Sequence, residues 1–97
     1  MIIIQHSKNQ IKLIGHAEYA PIGKDIVCAA VSALLQTFIE SVDKLTEDKI
    51  KCDISAGKAV IEYENPSERM KLLIDSFFVG VRMIAEEYPQ NVKLTEP

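Results

Sequence analysis

At 97 residues the chain has the size of one domain, and 47% hydrophobic with 26% charged residues is the composition of an ordinary folded one. Two cysteines cannot build a disulfide framework and no Cys/His group has zinc-site spacing, so neither a metal nor a cofactor is expected. Eleven basic residues against fourteen acidic ones, the lysines scattered and without interleaved aromatics, argue against direct nucleic-acid binding and suit a basic protein partner better.

The leading MIIIQH has no basic segment and too short an apolar stretch for a signal peptide. The longest apolar run, Ile26 to Leu35, is interrupted by Ser32 and falls short of the roughly 20 residues of a membrane span. A cytoplasmic protein without membrane contact is the expectation.

Met1 to Ser7 is rich in isoleucine and predicts a strand. Lys8-Asn9-Gln10 is a polar turn, and Ile11 to Ile14 a second strand of a hairpin that ends at Gly15-His16. His6, in the first strand, reads as a sheet-edge or surface residue. Ala17 to Lys24 carries Pro21 and Gly23 and predicts a loop. Its length exceeds the usual connection of roughly 2–6 residues, which marks it as a functional candidate. Asp25 then suits a helix N-cap, and the helix runs to Val42. Apolar side chains cover most of it, predicting a central helix buried on several sides, by a thicker core or by a partner subunit.

Beyond the polar stretch Asp43 to Asp48, Ile50, Cys52 and Ile54 alternate, as do Ala59, Ile61 and Tyr63. A hairpin over Lys49–Ile54 and Lys58–Glu64 with one buried face follows, and it puts Cys52 in the core. Asn65 at the N-cap, Pro66 at N1 and Glu68 at N3 start a second helix that runs to about Tyr88, with Met70, Ile74, Phe77 and Val81 on its apolar stripe. Pro89 stops it, and Val92 to Thr95 adds a short last strand. The order β-β-α-β-β-α-(β) predicts an α+β fold over residues 1–97, a single domain with two helices packed on a mostly antiparallel sheet.

Chemistry concentrates in Gly15 to Ser32, GHAEYAPIGKDIVCAAVS. With Asp25 as N-cap, Cys28 occupies N3, where unpaired amides and the helix dipole favour an anion such as a thiolate. The amides of Cys28 and Ala29 are candidates to stabilise an oxyanion. His16, at the end of the preceding strand, is placed to take the thiol proton and return it to a leaving amine. Strand-end base, loop and helix-start thiol together suit a cysteine hydrolase. Asp25 has a second reading as the group that orients His16, although one carboxylate cannot easily both cap and orient. Ser32 lies one turn after Cys28 on the same face, close enough to bond near the site or to the carbonyl four residues back. Tyr19 reads equally as a substrate contact and as loop packing. A lone cysteine in an apolar helix is also commonly a small buried hydrophobe, which is the competing reading of Cys28.

The block Gly15-His16-Ala17, then a short loop ending in Gly23-Lys24, then Asp25-Ile26-Val27-Cys28-Ala29-Ala30-Val31-Ser32, resembles the signature of the ribosomal-processing cysteine proteases. Size and element order resemble that family over essentially the whole chain, though beyond Val42 only the general pattern matches. The resemblance implies that His16 is the family's histidine and Cys28 its nucleophile. It further implies a homodimeric cytoplasmic endopeptidase of bacteria that removes the N-terminal extension peptide of a ribosomal protein, large-subunit protein twenty-seven, cutting just after an aromatic residue. The intervening Ala17, Glu18, Tyr19, Ala20, Pro21, Ile22, Gly23 and Lys24 would be the loop that rearranges around the substrate. Glu18 and Pro21 fall where no fixed pattern is matched, and Pro21 restricts the loop's φ range.

Two other functions fit the composition. One is a dimeric ribosome-associated binding module with no chemistry, in which Cys28 would be unreactive. The other is a thiol redox sensor, which requires Cys28 and Cys52 to approach each other.

Overall fold

The computed structural model describes residues 1–21 and 23–95. In chain order the elements are strands β1 (Ile2–Ser7) and β2 (Gln10–Ile14), helix α1 (Ile26–Leu45), strands β3 (Ile50–Ser55) and β4 (Lys58–Tyr63), helix α2 (Glu68–Glu87) and strand β5 (Val92–Thr95). They form an α+β sandwich. Five strands lie side by side in the order β3-β4-β2-β1-β5, antiparallel except for β1 beside β5.

Alternation along the strands decides which face of the sheet is covered. Ile4 lies opposite Leu13, and Ile11 opposite Ile61, so the buried residues of neighbouring strands share one face. That face carries Ile2, Ile4, Ile11, Leu13, Ala59, Ile61, Tyr63 and Val92. Both helices pack over it: α1 contributes Val27, Val31, Leu35, Phe38 and Val42, and α2 contributes Met70, Ile74, Phe77, Phe78 and Val81. Phe38 and Phe77 join the two helices, their ring centroids 5.5 Å apart. The opposite face, with Gln5, Lys12 and Glu62, carries no helix, as an antiparallel sheet permits.

Four sequence expectations are corrected here. First, α1 is amphipathic rather than apolar all round. Its buried residues recur at 4-4-3-4 spacing, while Ser32, Gln36, Thr37, Glu40 and Asp43 face solvent. The helix is 20 residues long, and by length and composition alone it is apolar enough to cross a membrane. Its packed stripe is that of a core helix. Second, the N-cap of α2 is Ser67, whose hydroxyl oxygen accepts from the Met70 amide. Asn65 takes φ +47 in the preceding turn, and Asp48 accepts from both the amide and the hydroxyl of Ser67. A carboxylate 19 residues upstream thus helps hold Ser67, two residues beyond the expected Asn65, as the cap.

Third, Cys52 is exposed, not core. β3 is an edge strand, and Ile50, Cys52 and Ile54 share the helix-side face with Tyr63, Ile61 and Ala59. Two helices side by side are about 20 Å across, the width of roughly four strands. Most of β3 is left uncovered: Ile50 still packs against the core, but Ile54 is 57% exposed. Fourth, His6 belongs to neither edge nor surface. β1 lies inside the sheet, and the imidazole stacks on Phe78 at 4.4 Å and shares a 3.2 Å hydrogen bond with the Tyr63 hydroxyl. Burial raises the pKa of that hydroxyl, so it faces His6 as a neutral O–H.

Because Ile61 is fully buried and Ile54 is not, equivalent truncations should differ sharply. Urea denaturation of Ile61→Ala should show a loss of about 2–5 kcal/mol. Ile54→Ala, on the open strand, should lie within about 0.5 kcal/mol of the parent.

Candidate active site

The site is assembled where β2 ends and α1 begins. Gly15 turns the chain out of β2 with φ +94, and a side chain there would collide with the Met1 carbonyl. Its N–H donates to the Gly57 carbonyl at 2.8 Å, which ties the end of β2 to the β3–β4 turn. The following imidazole, His16, rests against Gly57. A methyl group on Gly57 would sit 2.9 Å from His16 Nε2. This glycine, read from the sequence only as part of a turn, leaves the space that the ring occupies.

Cys28 lies in the first turn of α1 and is half-buried. Its sulfur accepts a hydrogen bond of 3.2 Å from the Ala17 amide, and Ala17 is 1% exposed. His16, Cys28 and Ser32 together line two adjoining depressions. The larger, about 890 Å³, is walled by Glu18, Ala20, Pro21, Gly23, Lys24 and the start of α1. The smaller, about 270 Å³, runs between α1 and the second hairpin over Leu13, Val31, Leu35 and Ile54. Their combined size suits a peptide or small ligand. A polar depression of 960 Å³ at the other end of the sheet, lined by Asp48, Glu62 and Glu64, contains neither thiol nor imidazole.

Asp25 caps the helix and also holds the loop. Oδ1 accepts from the amides of Val27 (3.0 Å) and Cys28 (2.9 Å), while Oδ2 accepts from those of Tyr19 (3.0 Å) and Ala20 (3.4 Å). The Cys28 amide foremost, then the other three, hold this carboxyl below its ordinary pKa against an opposing cost of desolvation. Of the two sequence readings of Asp25, its bonds supply the cap, not an orienting bond to His16.

The same bonds correct the oxyanion expectation. The Cys28 amide is committed to Asp25 Oδ1, and the Ala29 amide donates to the Asp25 carbonyl at 3.1 Å. The amide that does point at the sulfur is that of Ala17, a residue the sequence offered only as loop.

Other loop residues have definite places. Tyr19, though 47% exposed, packs edge-on against Tyr88 at the end of α2, with ring centroids 5.4 Å apart. Glu18 adopts φ +58, and Lys24 donates to the Pro21 carbonyl to close a tight turn. Ile22, counted in the loop above, lies outside the described residues. Asn91, between α2 and β5, donates from Nδ2 to the Ala17 carbonyl at 2.8 Å. At 74 residues from its partner, it gave no local sequence signal. Cys28 and Cys52 are both free thiols. Among the described residues no cluster of His, Cys, Asp or Glu has the arrangement of a metal site.

A thiol and an imidazole facing one cleft of an α+β sandwich are the equipment of a cysteine-type hydrolase. Residues 1–93 match the family model described as cysteine protease Prp. The ribosomal processing cysteine protease Prp of Staphylococcus aureus (strain Mu50) is 31% identical over 83 residues, covering 82% of this chain and 78% of that protein. The protein of the same name from Mycoplasma genitalium is 30% identical over 100 residues, covering 99% and 96%. A crystal structure of S. aureus Prp with a covalently linked product peptide superimposes with a TM-score of 0.90 at 24% identity, covering 99% of this chain and 97% of that one. The chain belongs to the cysteine protease Prp family and is a cysteine-type peptidase.

Two measurements follow from this geometry. Gly57→Ala should displace the His16 imidazole, because the new methyl collides with its Nε2 edge. The His16 ring resonances should then move by NMR while those of the His6 ring, packed on Phe78, stay in place. Asp25→Asn should lower thermal stability at neutral pH, since the depressed native pKa makes the ionised carboxylate the stabilising form. The difference from the parent should be full above the ordinary aspartate range of about 4 and should shrink as pH falls through the lower native value.

Proposed function

We propose that this chain is a ribosome-processing endopeptidase in which Cys28 is the nucleophile and His16 the general base and acid. The observation that carries this reading is the shared cleft: His16 and Cys28 line both depressions, from elements that the Asp25 bonds hold together. His16 takes the proton of the Cys28 thiol as the sulfur attacks the carbonyl carbon of the scissile peptide. It then gives that proton to the departing amine, leaving an acyl-thioester on Cys28. Water, deprotonated by His16, hydrolyses the thioester and releases the enzyme.

The substrate in this proposal is the N-terminal extension of a ribosomal protein, large-subunit protein twenty-seven, cut after an aromatic residue. Supporting it are the ribosomal-processing names of the S. aureus and M. genitalium relatives and the resemblance of the Gly15–Ser32 block. The proposal includes a cytoplasmic homodimer. The free end of α1, with Leu45 56% exposed, offers apolar surface that a second copy would cover.

Incubation with a precursor peptide that spans the extension and its junction provides the test. The wild-type chain should shorten the peptide at one bond, Cys28→Ala should abolish the cut, and His16→Ala should slow it by about 10²–10⁴-fold. Unimpaired shortening by Cys28→Ala would remove the nucleophile assignment. An intact precursor beside efficient cutting of unrelated peptides would remove the ribosomal substrate.

A further inference from the structure

Asn91 stands in the connection between α2 and β5, remote in sequence from both His16 and Cys28. Its backbone is fixed independently of its side chain: the N–H donates to the Tyr88 carbonyl at 2.9 Å, and the carbonyl accepts from the Ile2 amide at 2.8 Å. The side chain reaches across to Ala17. A carbonyl oxygen only accepts, so the atom facing it is the amide nitrogen, Nδ2, at 2.8 Å.

Ala17 is thereby held at both of its backbone groups. Its carbonyl is fixed by Asn91, and its N–H points at Cys28 Sγ, 3.2 Å away. The next residue, Glu18, takes φ +58, a left-handed conformation that is strained in a residue other than glycine. The bond from Asn91 falls on the carbonyl immediately before that strained residue, where it opposes relaxation of the backbone. Neither the Cys28 nor the Ala29 amide competes for this role, since Asp25 engages both.

We propose that Asn91 is a positioning residue for the reaction: through the Ala17 carbonyl it holds the Ala17 N–H on the side of the sulfur where negative charge develops. That N–H would donate first to the sulfur and, once the tetrahedral intermediate forms, to the oxygen bonded to the carbon that Cys28 has attacked. A donor aimed in advance at this charge favours the transition state over the ground state, so its loss falls on kcat and not on substrate binding. The inference rests on the assignment of Cys28 as nucleophile made above.

The test compares wild type, Asn91→Asp, Asn91→Ala and Cys28→Ala, all as full chains, on the same precursor peptide. Asp has the shape of Asn but cannot donate, and every variant retains the backbone bonds of residue 91. Asn91→Asp and Asn91→Ala should lower kcat by at least about 10-fold while KM stays within about twofold. By NMR the Ala17 amide should shift and lose protection from exchange, while the amides of Ile61 and Val81 keep theirs. Wild-type kcat in either folded variant overturns the proposal, as does an unchanged Ala17 amide in both. A lowered melting midpoint with unchanged kcat also overturns it, assigning Asn91 to folding alone. Peptide cleavage by Cys28→Ala would instead discard the underlying nucleophile assignment, whatever Asn91 does.

Discussion

One carboxylate ties the loop before α1 to the helix turn that carries the thiol. Asp25 accepts four backbone N–H bonds, two from the first turn of α1 and two from the loop that precedes it. A helix N-terminus has orphan donors that must find acceptors, and here one side chain satisfies two of them while clasping the loop. Because Cys28 is in that first turn and His16–Ala17 opens that loop, the clasp sets the thiol against the segment that supplies its neighbours. Chain connectivity alone would leave the loop free to swing away from the helix.

Around this node three connections converge from distant parts of the chain. The β3–β4 turn contributes Gly57, which bonds Gly15 and leaves room for the His16 ring. The α2–β5 connection contributes Asn91, bonded to the Ala17 carbonyl. The end of α2 contributes Tyr88, against which Tyr19 packs. The scaffold behind them is the buried face of the sheet, and it owes its flatness of pattern to strict alternation in β1, β2 and β4. A small fold thus supports a cleft by bringing separate turns to one end of its sheet.

Much of this was legible in local sequence. The hairpins, both helices, the helix start at Asp25 and the element order follow from alternation, from 3–4 spacing and from capping chemistry, all of which act over a few residues. The grouping of His16, Cys28 and Ser32 was readable too, because strand end, loop and helix start are consecutive. Errors arose where a local rule had two equally good local solutions or a long-range cause. Asn65 and Ser67 are both sound caps, and Asp48 helps hold the second. Cys52 alternates as a core residue does, yet two helices cannot cover five strands. The first-turn amides of α1 looked free to receive an oxyanion, and Asp25 had already engaged them.

What the sequence by itself determined is therefore the chemistry and the elements: a thiol in the first turn of a helix, an imidazole at a strand end, and alternating strands that must share one buried face. Those properties reside in single residues and in short periodicities, and no distant contact is needed to produce them. Only the tertiary structure decided which amide meets the sulfur, which turn makes room for the imidazole, and which strand stays uncovered. Those outcomes rest on bonds or packing between residues from different elements, from Ala17 with Cys28 to Gly57 with His16. Such pairings leave no trace in the local pattern, because the partners are neighbours in space and not in sequence.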